Sequence, residues 1–298
     1  MTAREMGLLL LCSSLGDAKR HPLTLPRLQE LERAMLQGPH PLDQLAQVDE
    51  DYLRHLGLGA VVSCHIVRLL QQEAQAKAYL ARAKAQGIIC LTRLSPDYPR
   101  RLLETLGSDA PAVLWVKGNL ALLQADCVSV VGSREIRPVN RAFAWEAGKQ
   151  IARQGFPLVT GGARGADRAA EQGCASQGGS AIVVLPGALT DRPVPERGLL
   201  CAEDSFDAVF SAQRALSRNR IIHAWGRKVL VAQAASHTGG TWAGTVENLR
   251  RHWSPVFQFA DGSEAAQALE ELGATGIGQA ELANLDALMP DCLRLAQV

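Results

Sequence analysis

The chain lacks a stretch that could cross a bilayer: the apolar run Gly7 to Cys12 is far shorter than the roughly 20 residues a spanning helix needs. It also lacks net charge, at +1 over 298 residues, so no global field draws it to nucleic acid or membrane. Any anion site must come from local clustering. Paired cysteines are missing too. Cys12, Cys64, Cys90, Cys127, Cys174, Cys201 and Cys292 are odd in number and scattered, with no CxxC or nearby histidine spacing for zinc. They read as buried thiols in a reducing compartment, and the protein is expected to be cytoplasmic, with no metal.

Several catalytic and cofactor signatures are absent as well. No GxGxxG follows a strand, no GK[ST] marks a triphosphate loop, and no serine and histidine pair has a carboxylate orienter. His223, His237 and His252 have no ligand spacing. No cofactor is implied.

What is present divides into three parts. Residues 1–85 carry helical periods (Leu25, Leu28, Leu31; Leu42, Leu45, Val48; Tyr52, Leu53, Leu56) broken by Pro22, Pro26, Pro39 and Pro41. Within them LGLGAVVSCHIVRLL, Leu56 to Leu70, has the glycine turn of a helix-hairpin-helix unit, which in most proteins is a packing connector. Residues 86–260 open with the strands GIICL and AVLWVKG and then alternate: strand CVSVVG, helix Pro138 to Gln154, strand FPLVT, helix Ala166 to Gln177, strand SAIVVLP, strand KVLVAQA, helix Trp242 to Arg251, strand PVFQF. Such alternation predicts an α/β fold with a doubly wound, mostly parallel sheet, its ligand beyond the carboxyl ends of the strands. Residues 261–298 read as a short helical tail docked on that core.

Three loops at the expected strand ends are suited to anions. In VGSREIRP, Ser133 offers a hydroxyl and Arg134 a planar fork of donors just before a helix start. In VTGGARGAD, Thr160 can donate, Gly161 and Gly162 let backbone amides approach, and Arg164 precedes the helix that follows Gly165. In SRNRIIHAWGRK, Arg218, Asn219 and Arg220 sit near an expected helix start, within a run from Ala208 to Val246 that has no acidic residue. Each has a plainer reading: a turn, or a solvated basic face. A fourth stretch, SHTGGTWAGTVENL, adds Thr238, Thr241 and Thr245, with Glu247 as a possible general acid or base or a mere surface carboxylate. The loops alone do not separate a free nucleotide from a strand of nucleic acid.

In order and spacing, GIICLTRLSPDYPRRLLETLGSDAPAVLWVKGNLALL, VSVVGSRE, LVTGGARGADRAAEQGCASQGGSAIVVLPG and SRNRIIHAWGRKVLVAQAASHTGGT resemble the DNA-processing protein A (DprA/Smf) family from about Gln86 to Ala260. The N-terminal helices resemble, more weakly, that family's SAM-like module. The resemblance implies an extended Rossmann-like domain and a non-enzymatic single-stranded DNA-binding protein. It implies a homodimer that protects strands and loads a RecA-type recombinase during natural transformation. The implied contacts are Ser133, Arg134, Thr160, Gly161, Gly162, Arg164, Gly165, Arg218, Asn219 and Arg220.

The chain departs from the pattern in three places. ALTDRPVPERG replaces a tyrosine, proline and asparagine segment, Glu171 stands where histidine is common, and the C-terminal winged-helix domain of many members has no counterpart, as in a shortened member. Two other readings stay open. One is a nucleotide sensor or LOG-like phosphoribohydrolase using Glu247, although GGTWAGTVE lacks the leading proline of the PGGxGTxxE pattern and has two extra residues between its glycine pair and GT. The other is a DprA-like module of a phage-defence assembly.

Overall fold

A computed structural model of the chain describes residues 1–36 and 48–290. Pro39, Pro41, Leu42, Leu45 and Cys292, named above, lie outside the described residues. Among the described residues five helices come first: α1 (Ala3–Cys12), α2 (Leu25–Leu36), α3 (Glu50–His55), α4 (Ala60–Leu70) and α5 (Glu73–Ala85). Thr2 caps α1 in a reciprocal capping box with Glu5, and Asp49 caps α3. Leu11, Leu31, Met35, Leu53, Ile66 and Leu69 close a small core among these helices.

One nine-stranded sheet organises the rest: β1 (Ile89–Thr92), β2 (Val113–Gly118), β3 (Cys127–Val131), β4 (Leu158–Thr160), β5 (Ala181–Leu185), β6 (Leu199–Glu203), β7 (Gly226–Val231), β8 (Val256–Phe259) and β9 (Thr275–Ile277). Their spatial order is β1-β2-β6-β5-β4-β3-β7-β8-β9. From β6 to β9 every pairing is parallel, and β1 and β2 are added antiparallel at the β6 edge. The chain leaves β3 through β4, β5 and β6 to one side and continues through β7, β8 and β9 on the other. The order therefore reverses between β3 and β7, the crevice where such sheets hold ligands.

Helices α7 (Pro138–Arg153) and α8 (Ala166–Ala175) cover one face, and α6 (Arg100–Leu106), α9 (Ala212–Trp225), α10 (Gly239–Arg251) and α11 (Glu264–Glu271) the other. Alternation along β3 sends Val128 and Val130 to the α7 side and Cys127 and Val131 to the α9 side. Ser129, also turned toward α9, is buried and donates its hydroxyl to the Ile222 carbonyl. The N-terminal helices dock on the α7 side, where Leu8, Leu9, Tyr79 and Ala83 join the sheet core. Tyr79 stacks on Phe206 with ring centroids 4.5 Å apart and donates its hydroxyl to Asp207.

Several sequence expectations need correction. Leu199–Glu203, passed over above, is a fully paired strand between β5 and β2. The tail is not purely helical: after α11 it supplies the edge strand β9 against β8. Residues beyond it strap the opposite end of the sheet, where the buried Lys228 ammonium donates to the carbonyls of Leu285, Asp286 and Leu288. Helix α10 starts at Gly239, three residues before the expected Trp242. Arg218 and Arg220 lie mid-helix, because α9 begins at Ala212, just after the N-cap Ser211, whose side chain accepts from the Arg214 amide. Among the thiols, Cys64 is exposed, whereas burial pushes Cys127 up to about 12 and Cys174 to about 11. No helix among the described residues is long and apolar enough to cross a membrane.

Candidate functional site

A cleft of about 790 Å³ opens at the reversal point. Its walls are the loops after β3 (Gly132–Glu135) and β4 (Ala163, Arg164, with Asp167 just behind them on α8), Ala235 and Thr238 after β7 with the first turn of α10 (Gly239, Gly240, Thr241), and one side of α9: Ala212, Ala215, Leu216, Arg218, Asn219, Ile222 and His223. That side follows helical spacing, so half of α9 forms a floor while its other half packs on the sheet.

Ser133 ties the three loops together. Its amide donates to the Gln233 carbonyl after β7 (2.9 Å), and its own carbonyl accepts from Ala166 at the start of α8 (3.1 Å). That approach requires Gly165, at φ +85°, because a Cβ there would stand 2.3 Å from the Ser133 carbonyl oxygen. Arg134 is thereby held at the cleft mouth with its side chain exposed. Arg164 lines the same mouth from the next loop, 75% exposed, in a loose 3.5 Å pair with the still more exposed Glu135. Ser133, Arg134 and Arg164 thus meet as the sequence spacing suggested.

The inner part of the glycine loop is different. Asp167 is buried, and its carboxylate accepts from the Ala163 amide (3.2 Å), with a second backbone contact from the Gly161 amide. Burial raises its pKa to about 6 against the opposing pull of Arg218. Arg218 is buried as well and brought down to about 10 by desolvation, with Asp167 working against the drop. Its guanidinium covers Gly161, 2.0 Å from where a Cβ would stand, and donates to the Val184 carbonyl at 2.7 Å. Gly161, Gly162 and Thr160 therefore do not line the cleft. Behind Gly162 lies Arg192, whose guanidinium holds Glu171 at 2.6 and 3.4 Å. The two departures from the family pattern, Glu171 and the segment after β5, are thus one ion pair.

Arg220 is the clearest correction. Two residues along a helix is about 200° of rotation, so Arg218 and Arg220 leave α9 on opposite flanks. Arg220 turns from the cleft to Glu203 at the end of β6, with further bonds to the Ser217 carbonyl (2.7 Å) and hydroxyl (2.6 Å). Its role is to hold α9 against the sheet edge. Arg220→Gln is expected to lower stability by about 1–3 kcal/mol, the worth of hydrogen bonds to a charged partner, read as a reduced urea midpoint. The affinity of the cleft for its anion should not change.

Asn219 also has a packing task. Its amide donates to the Gly240 carbonyl (2.9 Å), clamping α9 to the first turn of α10. The clamp sets α10 with its N-terminus on the cleft. Gly239, Gly240 and Thr241 line it, and the N-cap residue Thr238 makes no side-chain cap, so the first-turn amides are not taken by a cap. Sequence reasoning had Thr238 and Thr241 in view but did not join them to the site. It missed Phe210 and Leu216, 54% and 53% exposed, which give the same mouth an apolar rim. The apolar run Ala208 to Phe210 just before Ser211 is the signal for Phe210; nothing local marks Leu216. Glu247, two turns into α10, is exposed and does not line the cleft. Among the described residues no group of acidic, histidine and cysteine side chains could hold a metal ion.

The fold and cleft define a doubly wound α/β protein with an arginine-bearing cleft at its strand-order reversal. The family model of DNA recombination-mediator protein A matches residues 89–275, and the chain belongs to that family. It is 31% identical over 156 residues to Protein Smf of Escherichia coli, a match spanning 49% of this chain and 41% of that protein. The chain thus covers well under two thirds of that relative's length. The solved DNA processing protein A of Streptococcus pneumoniae superimposes with a TM-score of 0.72 at 22% identity, covering 97% of this chain and 99% of that one. The corresponding protein of Helicobacter pylori, described for its single-stranded DNA binding mode, gives 0.53 at 23% identity over 64% and 90%.

Proposed function

We propose that the cleft binds single-stranded DNA for recombination and turns over no substrate. The observation that carries this is the meeting, at one mouth, of exposed Arg134 and Arg164, the first-turn amides of α10, and the apolar rim of Phe210 and Leu216. Cationic groups and amides suit a backbone of phosphates; an exposed aromatic beside them suits an unpaired base. A free nucleotide also carries a base to stack; the placing of two arginines and a helix N-terminus on three separate elements along one mouth is what favours successive phosphates of a strand. Family membership and the relatives' descriptions point the same way. Within this reading the protein acts as a homodimer, protects the strand and passes it to a RecA-type recombinase. Glu247, outside the cleft, gives the phosphoribohydrolase reading no catalyst in reach.

The test is fluorescence anisotropy with a labelled oligothymidylate and its duplex over a salt series. Single-strand preference and affinity falling steeply with salt are expected; equal binding of duplex, or salt-insensitive binding, would sink the proposal. Phe210→Ala should weaken binding roughly tenfold, since one base stack is worth about 1–3 kcal/mol. The slope against salt should stay as in the wild type, because no phosphate contact is lost.

A further inference from the structure

The glycine loop after β4 has the form of an anion nest, yet its contents come from the chain itself. The amides of Gly161 and Ala163 converge on the Asp167 carboxylate. Arg218, the cation of the nest, lies across Gly161 and faces the same group; Glu171 is the other charged neighbour. An amide bonded to the carboxylate, a second amide against it and a guanidinium lying over the same turn are the kinds of group a phosphate would be given. We propose that Asp167 is a built-in phosphate surrogate: it fills the inner nest of the glycine loop, bars that nest to the phosphates of free nucleotides, and confines ligand phosphates to the outer side of the cleft, at Ser133, Arg134, Arg164 and the start of α10.

This deepens the reading of the cleft as a phosphate site and rests on it, but it makes a separate claim about which loop is closed. The consequence is selective. A doubly wound sheet ordinarily offers the turns at the carboxyl ends of its strands to a mononucleotide or dinucleotide. With a covalently tethered carboxylate in place, an incoming phosphate must displace a group whose effective concentration no free ligand matches, and must leave it buried beside a new negative charge. A polymer that needs only the outer arginines and the α10 amides pays no such penalty.

The experiment is thermal melting of wild type, Asp167→Ala and Asp167→Asn in inorganic phosphate against chloride of equal ionic strength. Asp167→Ala empties the nest and leaves Arg218 without its counter-charge, so it should melt lower. Millimolar phosphate should then raise its melting temperature by about 3 °C more than that of the wild type. Asp167→Asn, which keeps an acceptor oxygen but no charge, should show a smaller gain of the same sign. Equal phosphate responses in wild type and Asp167→Ala would overturn the proposal. If Asp167→Ala stays unfolded in both buffers, Asp167→Asn decides alone, and no phosphate-specific gain there overturns it. Oligothymidylate anisotropy on the wild type and Asp167→Asn separates the two claims: equal phosphate responses with DNA binding intact in both refute the surrogate and leave the DNA reading standing.

Discussion

Replacing Arg134 and Arg164 together by alanine is expected to weaken binding of single-stranded DNA about 100-fold or more, with melting temperature almost unmoved. A hydrogen bond between a guanidinium and a phosphate contributes about 1.5–3 kcal/mol net, and both side chains are exposed at one mouth, where a single strand can touch both. Each lost phosphate contact also removes roughly 0.7 from the slope of log affinity against log salt for a single strand, so the double variant should be flatter by about 1.4. Stability should hold. Arg134 is exposed, and the pair of Arg164 with Glu135 is too solvated to contribute more than a few tenths of a kcal/mol.

Arg27→Ala supplies the control. Arg27 lies on α2, about half exposed and paired with Glu30, so its loss removes the same charge from outside the cleft. Should it weaken binding as much as either cleft arginine, the strand would be following diffuse charge and the cleft would not be its site. Arg220→Gln adds a second contrast, since it should cost stability and spare affinity, the opposite of the double variant.

The contrast between Arg134 and Arg220 shows what the sequence could convey. Strands β3, β4, β5 and β7 are legible because buried parallel strands are continuous apolar runs bounded by glycine and proline. The loops that follow three of them are then located by the fold rule for doubly wound sheets. Strand β6 escapes that rule. Leu199–Glu203 follows a proline-rich segment, and its antiparallel partner, β2, lies about eighty residues upstream, so nothing local marks the pairing. Arg218 and Arg220 were read as one motif because the start of α9 was set too late. With Ser211 as the N-cap, helix phase alone would have put them on opposite flanks. The early start of α10 runs against glycine's poor helix propensity; the contact of Asn219 with Gly240 decides it, and that contact joins elements far apart in sequence. Asp167 shows the same limit in miniature. A carboxylate two residues into a helix reads as a favourable dipole partner, and only its burial shows that it has taken the amides expected for the ligand.

His223 sets the second large effect, an acid-dependent loss of stability. The ring is fully buried between α9 and α10, and desolvation brings its pKa down from 6.5 to about 3. Asn248 supports the neutral ring by donating to Nδ1 at 3.2 Å, which leaves the proton on Nε2 beside Gly244. A histidine held neutral in the native state and free to protonate in the unfolded chain contributes stability that is complete above the unfolded pKa. That contribution is lost as pH falls, at about 1.36 kcal/mol per unit. Between pH 6.5 and pH 4 it comes to roughly 3 kcal/mol.

Asp167 acts with the opposite sign. Its native pKa is raised to about 6 by burial, so its contribution grows as pH falls from 6 toward 4 and partly masks the histidine in the wild type. The difference between variants separates the two. His223→Gln, which cannot titrate and still offers an acceptor to Asn248, should be less stable than wild type at pH 7.5. Its deficit should shrink by about 3 kcal/mol by pH 4, measured as urea unfolding free energies at both pH values. Asp167→Asn, with the mask removed, should lose stability on acidification more steeply than the wild type. A His223→Gln deficit that stays constant from pH 7.5 to pH 4 would mean that the ring protonates as readily in the folded protein as in the unfolded chain. The α9–α10 seam would then be open to water, and with it the clamp that turns the N-terminus of α10 toward the cleft.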